Sequence, residues 1–254
     1  MKVSDVVDFM EKTAPIELAE KWDSPGLKTG SLQGKANKIL ICLDASALVV
    51  QEAVDKKCDM IISHHPILFH PVSYLSMDTE KALCLAIKNN ISIYSAHTNL
   101  DFTIGGINDS LADIIGLQDI KKDESGKHAY GYLKSPMTLN EFTENIKKSL
   151  NAPAITAVVP SHLNDKNDIY KVGVSSGGFD ENYKWAEALN IDALVTGEIK
   201  HFEYVTLNEA NLISIGAGHY FTEIPGMRVL CERLNSSGFN SIMSEREINP
   251  YKFY

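Results

Sequence analysis

Short apolar runs recur along this chain, each ending in polar residues and each separated from the next by a stretch of helical spacing. The first run, Lys38 to Leu43, carries Ile39, Leu40, Ile41 and Cys42 and predicts a buried strand, with a helix from about Ala47 to Lys57 behind it. Met60 to Ile62 predicts the next strand, followed by a helix from about Thr79 to Asn89 and a strand from Ile91 to Ala96. Before these, Ser4 is placed to cap a helix from Asp5 to about Lys12, Ile16 to Trp22 predicts a second short helix, and Trp22 to Leu27 reads as a turn-rich loop. Lys121 to Lys127 and Ser161 to Asp168 are charged or polar enough to be expected as loops, and Thr138-Leu139-Asn140-Glu141 is a capping box opening a helix to about Leu150. The pattern then returns: strand Tyr170 to Val174, helix Glu181 to Leu189, strands Ala193 to Val195 and Leu212 to Ile215, and a helix from about Tyr220 to Leu234. Strand, helix and strand alternating at this pitch predict an α/β fold with mostly parallel sheets.

The two α/β stretches match each other. Asp59 lies twenty positions after Ile39, and Asp192 lies twenty after Val172, so one offset of 133 superposes both strand pairs. At that offset His64-His65 falls opposite Gly197-Glu198, and Phe69 opposite Phe202. Further on, Ala96-His97 falls opposite Gly218-His219, each His followed four positions later by a carboxylate, Asp101 or Glu223. Two related α/β domains facing each other are therefore expected, residues 1–125 and 126–254.

Composition narrows the function classes. A 254-residue chain with 44% hydrophobic and 22% charged residues is that of an ordinary globular protein. No apolar stretch approaches the roughly 20 residues that span a bilayer, and the first residues have no signal-peptide core, so no membrane partner and a cytoplasmic location are expected. Cys42, Cys58, Cys84 and Cys231 form no CxxC and are expected as reduced thiols. A net charge of −9 disfavours nucleic acid as a partner without excluding a local basic patch.

The candidate chemistry sits at the strand ends, where ligands collect in open α/β sheets. Met60 to Ile62 runs into Ser63-His64-His65-Pro66, with a further histidine at position 70, and Pro66 stops the strand. Four strand ends carry His64/His65, His97/Asp101, Glu198/His201 and His219/Glu223, which takes in five of the eight histidines. Adjacent imidazoles suit a metal pair, and a carboxylate such as Glu223 or Asp101 can bridge two ions. Mixed imidazole and carboxylate donors without thiolate suit Zn, Fe, Mn, Co or Ni.

Together these segments resemble the NIF-three-like family of dinuclear-metal proteins, also labelled type-two GTP cyclohydrolase I homologues. The resemblance runs through Trp22-Asp23-Ser24-Pro25-Gly26-Leu27, Ser63-His64-His65-Pro66 with Phe69, and Ala96-His97-Thr98-Asn99-Leu100-Asp101. It continues through Thr196-Gly197-Glu198-Ile199-Lys200-His201 and Gly218-His219 with Glu223, and so covers most of the chain. It implies metal ligands at His64, His65, Asp101, His219 and Glu223, with Glu223 bridging two divalent ions, in a short form without the family's inserted domain. It also implies two similar α/β domains with the metal pair in the cleft between them, a homo-oligomer, a hexameric ring, and a small-molecule substrate, possibly a nucleotide such as GTP. Glu198, His97 and His201 are then candidates for proton transfer or for orienting the ligands. The expected function is a metal-dependent hydrolase, cyclohydrolase-like or a phosphoesterase. The alternative is a metal-containing ring without turnover that binds nucleic acid or protein. The tract Gly173-Val174-Ser175-Ser176-Gly177-Gly178 resembles the family's glycine-rich segment but carries serines, and a tight turn is expected there rather than a phosphate cradle.

Overall fold

The computed structural model describes residues 1–160, 168–179, 182–250 and 252. Contacts divide the chain into two compact units, residues 1–103 with 227–250 and residues 104–226.

The first unit is built on a five-stranded sheet of order β1-β4-β3-β2-β11. Its centre is the expected pattern: β2 (Ile39–Cys42), β3 (Met60–Ser63) and β4 (Ser92–Ser95), fully buried and mutually parallel. Such strands are buried on both faces, which is why they read as unbroken apolar runs rather than alternating ones. The connecting helices are α2 (Ala47–Asp55), with Ser46 accepting from the Val49 amide as N-cap, and α3 (Lys81–Lys88). Val49, Val50, Ala53 and Ala86 pack on Leu40, Ile61 and Ile93, each large aliphatic side chain contributing roughly 1.5–3 kcal/mol by leaving water. Antiparallel β1 (Gly26–Thr29) and parallel β11 (Ser241–Met243) close the two edges. Helix α1 (Val3–Thr13) starts earlier than its Ser4 would suggest: Lys2 is the N-cap, and its amide donates to the Asp5 carboxylate. The expected second helix is a single 3₁₀ turn, Ile16–Leu18, and α4 (Thr98–Phe102) follows β4.

The second unit carries a six-stranded sheet of order β5-β6-β8-β9-β10-β7. Parallel β8 (Ile169–Gly178), β9 (Ala193–Glu198) and β10 (Ile213–Gly216) form its centre; β5 (Gln118–Lys122), β6 (Ala129–Met137) and β7 (Thr156–Val158) flank it antiparallel. Helices α5 (Ile107–Ile114) and α6 (Leu139–Leu150) contribute Leu111, Phe142 and Ile146 to the core. The Thr138/Glu141 capping box opens α6 as expected, an arrangement worth about 1 kcal/mol. Helices α7 (Lys184–Ala188) and α8 (His201–Glu209) connect the parallel strands, and α9 (His219–Ser236) follows β10. The contact division passes within α9, after Gly226.

Strand register supports the internal repeat. Ile39 pairs with Met60 and Val172 with Ala193, so the offset of 133 reproduces the pairing residue for residue. The third strands carry a different offset. Ser92 pairs with Met60 while Ile213 pairs with Ala193, which places Thr98, not His97, at the position of His219. Three other expectations change. Lys121 and Lys122 belong to β5, and the charged stretch after them is the turn of a hairpin. The glycine-rich tract is the bulged end of β8 rather than a tight turn. The contact division also differs from a cut after residue 125, which would fall inside the β5–β6 hairpin and leave β11 away from its partner β2. The loop expected over Ser161 to Asp168 lies, except for Asp168, outside the described residues, as does Glu181.

The four cysteines are free. Behind β11, the buried Glu52 of α2 accepts from the Ser244 hydroxyl (2.6 Å) and from the Glu245 and Arg246 amides (2.9 and 3.0 Å), and pairs with Lys56 (2.8 Å). Burial opposes this charge, but those hydrogen bonds outweigh it and bring the carboxyl down to about 2. A carboxylate depressed on folding stabilises above its unfolded value and loses that contribution as pH falls through the folded one. Wild type should therefore lose more stability than Glu52→Gln between pH 4.5 and 2, read from thermal unfolding at each pH. Parallel curves would mean that Glu52 does not hold the segment.

Candidate metal centre

In the first unit, β3 and β4 end side by side and deliver three imidazoles to one place. One ring nitrogen from each of His64, His65 and His97 lies within 4.8 Å of the others. The ring centroids are 5.0 Å (His64–His65), 5.1 Å (His64–His97) and 5.6 Å (His65–His97) apart. The placement follows from the backbone: the His64 and His65 amides donate to the carbonyls of Cys42 and Leu43, prolonging the ladder past β3 until Pro66 ends it. His64 is fully buried, and Asp101, one turn into α4, reaches its Nε2 at 3.5 Å. Trp22 and Phe69 stand edge-on to His97, at 5.8 and 5.6 Å between centroids. His70 is exposed and belongs to no donor group.

Each of these rings has its Nδ1 against an oxygen. For His64 it is the Ala96 carbonyl (2.9 Å), for His65 the Asp44 carboxylate (3.0 Å), and for His97 the Asp23 carboxylate (2.9 Å). Carbonyl and carboxylate oxygens only accept, so Nδ1 carries the proton and the Nε2 lone pair of the neutral ring is left for a cation. This is the outer arrangement found around metal-bound histidines. Asp23 is itself well supplied. Burial raises its carboxyl, but hydrogen bonds from His97, from the Thr98 amide and hydroxyl, and from the Ser24 amide outweigh that and hold it well below the usual carboxylate range.

The second unit repeats the device. His219 opens α9; its Nδ1 meets Glu198 Oε1 at 3.1 Å and its Nε2 meets Glu223 Oε1 at 3.0 Å, one turn on. Glu223 is buried and Glu198 exposed. A neutral ring cannot donate to both carboxylates, and a cation between Nε2 and Glu223 resolves that conflict. The glycine tract makes room for it. Gly177 has φ +67°, its amide donates to Thr222, and a Cβ there would collide with Glu223 Oε1. Next to Glu198 is a cavity of about 260 Å³, lined by Thr156, Gly197, Tyr204, Gly216 and Gly218 among others. His201, at the start of α8, is exposed and outside the donor groups.

A family model described as Duf34/NIF3 (NGG1p interacting factor 3) matches residues 1–250. The chain belongs to the Duf34/NIF3 family. It is 34% identical to a Clostridium acetobutylicum protein named GTP cyclohydrolase 1 type 2 homolog, over 100% of this chain and 99% of that one. A Methanocaldococcus jannaschii protein of the same name is 33% identical over 93% and 96% of the two chains. Among solved structures, reduced HcgD from Methanocaldococcus jannaschii matches with a TM-score of 0.83 and 31% identity, covering 96% of this chain and 98% of that one. A Staphylococcus aureus hypothetical protein has the same fold, with a TM-score of 0.92 at 24% identity over 100% and 99%. Full-length coverage identifies this chain as a short-form Duf34/NIF3 protein.

Of the residues singled out in the sequence, the structure brings His64, His65, His97 and Asp101 together in the first unit. It brings Glu198, His219 and Glu223 together in the second. Sequence reasoning missed Asp23 and Asp44. Asp23 lies within the Trp22–Leu27 motif, ahead of β1, and Asp44 follows β2 as His65 follows β3, so the strand-end rule points to Asp44. No described helix of this Duf34/NIF3 protein is long and apolar enough to cross a membrane.

Proposed function

We propose that this chain is a dinuclear-metal-dependent hydrolase acting on a nucleotide or a related small molecule. The ligands of the two divalent ions are His64, His65, Asp101, His219 and Glu223. The observation that carries the reading is that the three histidines of this set, His64, His65 and His219, all have Nδ1 against an oxygen acceptor, which leaves Nε2 for a cation. Bound divalent ions supply Lewis acidity toward a substrate oxygen and toward water. The chain's own part is to position and to move a proton. Asp44 and Asp23 fix the tautomers of His65 and His97, and Glu198 fixes that of His219 through Oε1. The second oxygen of Glu198 is the proposed proton acceptor, and the cavity that Glu198 helps to line is the proposed place for the substrate. His97 and His201 are second to it. His97 is already engaged with Asp23, and His201 stands apart from the donors.

The names of the relatives support a nucleotide substrate, since GTP cyclohydrolase type 2 homologues predominate among them. The net charge of −9 tells against the non-catalytic ring that binds nucleic acid. Protein purified without chelators should carry about two divalent ions per chain by elemental analysis. Light scattering on the same sample should give six times 28.1 kDa for a hexameric ring. Fewer than one ion after supplementation ends the dinuclear reading, and a mass near one chain ends the ring. Metal-replete protein should release product from a panel of nucleotides, phosphoesters and cyclic amidines; silence across the panel transfers the case to the ring without turnover.

A further inference from the structure

The segment after β11 reaches the metal-ligand set from behind. Glu247 turns its carboxylate onto the β2–α2 loop, and Oε1 accepts from two successive amides, Leu43 (2.7 Å) and Asp44 (2.7 Å). Asp44 in turn accepts from His65 Nδ1, while the Leu43 carbonyl accepts from the His65 amide. The peptide that orients His65 is therefore gripped on its far side by a residue more than two hundred positions further along the chain. The grip is itself braced: Glu247's amide donates to Ser244, and Ser244 donates to the buried Glu52. All of these groups lie in the first unit.

We propose that Glu247 is a positioning residue of the metal site, fixing the Asp44 carboxylate on His65 Nδ1 so that His65 Nε2 is held ready for a cation. The physical basis is the rigidity of the acceptor. Asp44 is half open to water, and a carboxylate on a loose loop would share its hydrogen bonding between His65 and solvent. Two charge-assisted bonds to consecutive amides remove that freedom, and they do so through the backbone rather than by touching the ligand. The inference rests on the reading of His65 as a ligand.

The test is Co²⁺ titrated into metal-free full-length protein, followed by visible absorption and by elemental analysis. Glu247→Ala should weaken one Co²⁺ about 10-fold, within the range usual for outer partners of a ligand. Glu247→Gln should restore the affinity, because its amide oxygen still accepts from both backbone groups. Asp44→Ala, which removes the acceptor on His65 Nδ1, should weaken the same ion, and adding Glu247→Ala to it should change little further, since the path runs through Asp44. Arg246→Ala removes only the exposed ion pair with Asp55 and leaves Glu247 and its two amides in place, so Co²⁺ affinity should stay as in wild type. If Glu247→Ala does not fold, Glu247→Asp, one methylene short of both amides, should show the same loss. Wild-type affinity in Glu247→Ala, an equal loss in Arg246→Ala, or additive losses with Asp44→Ala would each overturn the proposal. Failure of the ligand reading is separate: wild type binds no Co²⁺, or His65→Ala binds it unchanged.

Discussion

Glu223→Gln loses metal, and with it all metal-dependent activity, while the fold survives. Glu223 is buried, and its carboxylate faces His219 Nε2 at 3.0 Å. A buried carboxylate beside the lone-pair side of an imidazole is stable only when something positive stands between them. The amide keeps the size and one acceptor but removes the charge, so it bridges two cations poorly while fitting the space that Gly177 leaves. The expected result is loss of at least one of two ions by elemental analysis, with circular dichroism unchanged. His64→Ala should do the same from the first unit, since β2, β3 and β4 are packed without that ring. Retention of both ions by Glu223→Gln would remove Glu223 from the ligand set.

Glu198→Gln has the opposite signature: metal stays and turnover falls on the order of 10²-fold, the scale of a lost general base and about 2.7 kcal/mol of barrier. Metal stays because the His219 Nδ1 proton needs only an acceptor oxygen, which the amide still offers. Turnover falls because the amide cannot take a proton. Metal content and rate measured on one preparation separate the outcomes. Loss of metal along with activity makes Glu198 a support for His219 alone, and loss of neither makes it a bystander.

The central strands and the donor residues were legible because their signals are local. An unbroken apolar run ending in His-His-Pro states both a strand and what it presents, and β3 with His64 and His65 is where that pattern put it. What was illegible depends on pairing across distance. β1, β7 and β11 are short edge strands whose identity comes from the partner beside them. The glycine tract reads as a turn because nothing local reveals that it pairs with β9 and lets Glu223 approach. The one-residue slip between the His97 and His219 ends is of the same kind. Both are a His with a carboxylate four positions on, yet one caps a helix and the other begins one. Glu247 is of that kind too, unremarkable until its partners more than two hundred positions away are known.

The place of β11 bears on the order in which a growing chain can complete itself. The second sheet lies in one continuous stretch of sequence, from β5 to β10, and every strand of it has been synthesised once β10 emerges. The first sheet begins to appear much earlier but lacks an edge until residues 241–243 arrive to cover β2. Until then β2 exposes an unpaired backbone edge, the kind of surface that recruits stray strands. The half of the molecule that is translated first is thus the half that finishes last, and its His64–His65 end waits for the final stretch of chain to be closed and braced.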